Sequence, residues 1–98
     1  MNILKNIKFH SEKPFILPVR KTDNVNIIAI GLLHDQILSK HKANIPSLLL
    51  VLKGSIEFKI EDKIYLFDQF DTFQIPVDVE HEVIGKDDEN IFLITQEK

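Results

Sequence analysis

The sequence predicts an all-β sandwich or barrel. Three observations carry this. Residues 55–61, "SIEFKIE", alternate strictly between apolar and polar, the mark of a half-buried strand. Turn signals recur every 8–12 residues along most of the chain, the spacing of short antiparallel strands. Helical spacing is confined to residues 1–9, through Ile3, Leu4, Ile7 and Lys8. At 98 residues the chain reads as one domain with a single core.

The elements follow in order. Residues 1–13 read as an accessory segment, and "PFILPVR" (14–20) and "VNIIAIGLL" (25–33) as strands separated by the polar "KTDN". The course from His34 to Pro46 is not fixed by any periodicity, and His41 falls in a loop-like stretch. "LLLVL" (48–52) is apolar on both faces, which suits a central strand. Residues 55–61 and "IYLF" (64–67) form a hairpin across Glu61-Asp62-Lys63. "DTFQIP" (71–76) is a short strand closed by a proline that cannot donate to a ladder. "HEVIG" (81–85) and "NIFLITQ" (90–96) read as a second hairpin across the acidic "KDDEN". With only three glycines, the turns must rely on Asp, Asn and Lys.

Composition removes several functions. The net charge is −3 with both signs interspersed, which gives no basic footprint for nucleic acid. The absence of cysteine excludes disulfides, thiolate metal sites and thiol nucleophiles. There is no secretory pattern at the N-terminus and no apolar run of the length that spans a membrane, so a cytoplasmic protein is expected. No glycine-rich phosphate loop or serine-nucleophile elbow occurs.

His41, Gly54, Pro76 and His81 stand at intervals that resemble the two motifs of the cupin superfamily, small jelly-roll β-barrels. The resemblance covers roughly residues 25–96. In the first motif His41 matches the first histidine and Gly54 the closing glycine, while the opening glycine, second histidine and glutamate fall on Asp35, Ala43 and Ser47. In the second, Pro76 and His81 match, while the two glycines fall on Phe70 and Asp78 and the asparagine on Gly85. "HKANIPSLLLVLKGSIEF" further looks like a group of very small bacterial cupins with no assigned reaction.

The resemblance implies a double-stranded β-helix, a homodimer, and a divalent metal held by His41 and His81. The metal would be zinc, iron, manganese or nickel. Ala43 brings no lone pair, however, and Ser47 is a poor ligand at neutral pH. Two neutral imidazoles without a balancing carboxylate bind metal weakly. Asp78, Glu80, Glu82, His34 and Gln74 are the candidate stand-ins, although Glu80 and Glu82 should point away from His81 on an extended strand.

The leading reading is therefore a binding module. Phe58 and Phe73 would line an apolar ligand cavity, and Ser47 and Gln74 would orient a small molecule by hydrogen bonds. Plainer roles compete for each residue. His41 can be a loop histidine, and His81 an interior histidine satisfied by a backbone carbonyl or by His41. His10 and His34 read as surface residues and Asp71 as a turn-forming acid. Phe58, Phe67, Phe70, Phe73 and Phe92 read as core or interface residues. Three functions therefore stay open: small-molecule binding, a metal-dependent oxygenase or isomerase, and non-catalytic sensing or assembly.

Overall fold

A computed structural model describes residues 1–98, apart from the side chains of Lys40 and His41. A short helix, α1 (Ile3–Asn6), precedes nine strands: β1 (Phe15–Lys21), β2 (Val25–Leu33), β3 (Ile37–His41), β4 (Ser47–Lys53), β5 (Ile56–Ile60), β6 (Lys63–Phe67), β7 (Thr72–Ile75), β8 (His81–Gly85) and β9 (Glu89–Glu97). They form a five-stranded sheet in the order β1-β2-β9-β4-β7 facing a four-stranded sheet in the order β3-β8-β5-β6. This is a two-sheet jelly roll.

Alternation builds the interior. Ile30 and Leu32 of β2, Leu49 and Val51 of β4, and Phe92 of β9 pack against Ile56, Phe58 and Ile60 of β5 and Val83 of β8. Burial of this set is the main driving force for joining the sheets. On the outer face of the larger sheet a second cluster gathers Ile7, Ala29 and Ile91, with Ile3, Phe9, Phe15, Leu17 and Val19 against it. The N-terminal segment thus acts as a cover for that face. Gln36 secures it by donating from Nε2 to the carbonyl oxygens of His10 (2.5 Å) and Lys13 (3.4 Å).

Three readings of the sequence change. The helix is one turn long and stops at Ile7, which turns extended and is buried. β3 was not legible: Ile37 and Leu38 are followed by Ser-Lys-His, with no alternation to signal a strand, yet the strand runs to His41 and not into a loop. Residues 81–97 are not a hairpin. β8 pairs with β3 and β5, whereas β9 pairs with β2 and β4. The acidic turn is a crossing between sheets, because both flanking strands bury one face on opposite sides of the same core. The hairpin β5–β6 is present, and β4 is central as its double-sided apolarity requires.

The motif positions explain themselves in backbone terms. Gly54 has φ 74°, and Asp35, Phe70 and Asp78 adopt φ of 64°, 72° and 59°. All four stand where the cupin pattern carries glycine. The left-handed geometry is kept although only Gly54 retains the residue suited to it. For a bulky residue this costs about 1–2 kcal/mol. Phe70 is 71% exposed, so it is not a core residue and its ring offsets little of that cost. Replacing it with asparagine, which tolerates this region, should raise stability by about 1 kcal/mol, or about 4–8 °C in melting temperature for a domain of this size. Calorimetry of Phe70→Asn checks this; an unchanged or lowered melting temperature would contradict it.

Candidate functional site

Between the sheets lies a cavity of about 180 Å³. Its walls are apolar: Ile28, Ile30 and Leu38, then Leu49, Phe58 and Ile75, then Val83, Phe92 and Ile94. Ala43, Ser47, His81 and Gln96 are the other described residues of the lining. The polar members share one end of the barrel. Ser47 begins β4, His81 begins β8 and Gln96 lies near the end of β9, so antiparallel pairing brings all three beside the loops 42–46 and 76–80. Those loops are tied where the Asp78 N–H donates to the Ala43 carbonyl at 2.8 Å.

The polar end is ordered by its own hydrogen bonds. Gln96 donates from Nε2 to Ser47 Oγ at 3.2 Å and accepts at Oε1 from Asn26 Nδ2 at 3.4 Å. Ser47 Oγ donates to the Ile45 carbonyl at 3.4 Å. His81 is 4% exposed; its Nδ1 lies 3.1 Å from the Val79 carbonyl, which can only accept, so Nδ1 is the donor of this hydrogen bond. Its imidazole stacks on Phe58 with centroids 5.3 Å apart and planes at 16°.

The sequence-derived site residues divide. Ser47, Phe58 and His81 meet at the cavity. Phe73 is turned inward but belongs to a cluster beside it, 5.1 Å from Phe58 and 5.2 Å from Tyr65. Gln74 is a correction. Phe73 and Ile75 take the inward positions of β7, so alternation turns Gln74 out into solvent, where it reaches only an open groove with Leu48 and Val77. His41 is opposite His81 in the Cα register of β3 and β8; its side chain lies outside the described residues. Gln96 was missed, although the sequence held the signal: it continues the inward series Asn90, Phe92, Ile94 with a polar residue. His10 and His34 are exposed, and Asp71 accepts from the Asp68 N–H at 2.7 Å within a turn, as read.

The described donors do not by themselves make up a cupin metal centre. Among the described residues no three His, Cys, Asp or Glu side chains converge. Around His81 the cavity offers Ala43, Ser47 and Gln96, which include no anionic ligand. Glu82 alternates away from His81, whose side is the interior, and Asp78 and Glu80 are exposed. His34 is at the far end of the barrel, with Nδ1 2.8 Å from the Lys86 carbonyl.

No family model matches this chain, and no curated protein matches it. Solved structures do. An RmlC-like cupin protein from Desulfovibrio desulfuricans superposes with a TM-score of 0.89 at 23% identity, over 99% of this chain and 93% of that one. A cupin superfamily protein from Desulfitobacterium hafniense gives 0.89 at 16% identity, over 99% and 88%. An RmlC-like cupin family protein from Methanocaldococcus jannaschii, described as a double-stranded β-helix, gives 0.81 at 19% identity, over 94% and 86%. At these identities the likeness is one of fold.

Proposed function

From the premise that this chain has the cupin fold, we propose that it is a binding module which holds a small organic molecule inside the barrel. One observation carries the reading: an apolar cavity of about 180 Å³ whose polar groups are gathered at a single end. Binding sites for small molecules are concave, largely apolar and supplied with a few placed polar groups. Ser47, Gln96 and His81 are those groups, and Phe58 is the aromatic wall.

A metal-dependent reaction is the less favoured reading, because the donors that can be described lack a carboxylate. Zinc, iron, manganese or nickel bound through His41 and His81 alone would be held weakly. Protein purified without chelators should therefore carry well under one equivalent of any of these metals by elemental analysis. A full equivalent that disappears in His81→Ala would reverse the preference.

The binding reading is tested by titrating mixed neutral, anionic and cationic metabolites while following the methyl resonances of Ile30, Leu49 and Val83. Saturable shifts are expected in the wild type and not in Ile94→Phe, which fills the cavity from a partly buried position. We also propose a homodimer. Its support is the edge strand β6, where Ile64 and Leu66 are 64% and 63% exposed on the outward face, a surface of the kind proteins usually cover. A monomeric mass by light scattering at micromolar concentration would remove that part of the proposal.

A further inference from the structure

We infer that the molecule this cavity takes is small and uncharged, with an apolar body and one polar end that both accepts and donates a hydrogen bond, as a phenol or a short alcohol does. The inference rests on the binding reading above and narrows it to a ligand class.

Size comes first. A cavity of about 180 Å³ is close to the roughly 150 Å³ known to accommodate a benzene ring, so the occupant has about six to nine heavy atoms. Charge is next. No Asp, Glu, Lys or Arg is among the described residues that line the space, and an ion moved there would lose its hydration with no carboxylate, ammonium or guanidinium from those residues beside it. Of the carboxylates beside His81 in sequence, Glu82 alternates to the other face of β8 and Glu80, just before the strand, is exposed.

Polarity then fixes orientation. One N–H of the Gln96 amide is used on Ser47, and an amide nitrogen has two. The second is bonded to no described group and can serve a ligand oxygen. Ser47 Oγ donates to Ile45 and accepts from Gln96, which leaves one lone pair for a ligand hydroxyl. Donor and acceptor thus sit side by side, the complement of one O–H group. Phe58 on the facing sheet and Phe92, further along β9, are fully buried rings that present only carbon to the rest of the ligand.

Four probes of matched ring size decide the matter: phenol, benzene, benzoate and benzylammonium, each titrated by NMR against the methyls of Ile30, Leu49 and Ile94. Phenol should bind saturably, benzene about five- to tenfold more weakly, and both ions at least tenfold more weakly than phenol. Gln96→Leu should lower phenol to the affinity of benzene and leave benzene unchanged. Ser47→Ala provides the same comparison if that variant does not fold. Ions that move the cavity methyls as tightly as phenol would overturn the ligand class while leaving the binding module standing. Equal affinity for phenol and benzene would overturn the role of Ser47 and Gln96. Silence of the methyls to all four probes, and to the metabolite mixtures as well, would overturn both proposals together.

Discussion

Asn90→Ala should cost about 3 kcal/mol or more, measured by chemical denaturation, and leave a domain that is barely folded at physiological temperature. Asn90 is fully buried, and every polar atom of its side chain is engaged. Oδ1 accepts from the Ser55 and Asp87 N–H groups, each at 3.0 Å. Nδ2 donates to the Leu32 carbonyl at 3.1 Å and the Asp87 carbonyl at 2.9 Å. One amide therefore ties the start of β5, the crossing between the sheets and the end of β2. Truncation orphans four backbone groups, and those sealed from water each cost about 1–3 kcal/mol. Water can reach Ser55 and Asp87 more easily than Leu32, so the sum stays below four full penalties. Against a total stability of about 5–15 kcal/mol this is a large share. The glycines nearby belong to the same device. A Cβ on Gly85 would lie 2.6 Å from Asn90 Nδ2, and one on Gly54 would lie 2.5 Å from the Glu89 carbonyl. A loss under about 1 kcal/mol would show that the crossing is held by other means.

That network also shows where sequence reasoning reaches its limit. Asn90 read as the last residue of an acidic turn, because composition cannot distinguish a solvated asparagine from one folded under a sheet crossing. Strands with alternation or a long apolar run were legible, including β2, whose bounds 25–33 match. β3 was not, since its burial comes from pairing with β8 and not from its own pattern. The interval between motif residues survived because it encodes backbone geometry: the left-handed turns at Asp35, Phe70 and Asp78 persist without their glycines. The cavity was legible in part. Phe58, Ser47 and His81 followed from alternation and motif register. Gln74 failed because one position on a four-residue strand decides its face, and proline at 76 left that register open. Gln96 was recoverable from the inward series of β9 and became visible as a site residue only once β4 lay beside it.

The second large effect is expected at Phe58. Its ring is fully buried, 6.0 Å from Phe67, 5.1 Å from Phe73 and stacked on His81. Phe58→Ala removes the partition between the cavity and the aromatic cluster, and should lower stability by about 3–5 kcal/mol through lost transfer energy and the void left behind. The same substitution separates a structural role from a binding one. A ligand that occupies the enlarged space stabilises by mass action, about 2.7 kcal/mol at a hundredfold excess over its Kd. Benzene should therefore raise the melting temperature of Phe58→Ala more than that of the wild type, and Phe58→Ala combined with Ile94→Phe should respond less than Phe58→Ala alone. If the single variant loses its stability and no apolar probe restores any of it, the barrel has collapsed onto the gap. Phe58 is then a core residue that happens to touch the cavity, and not a wall that gives the cavity its shape.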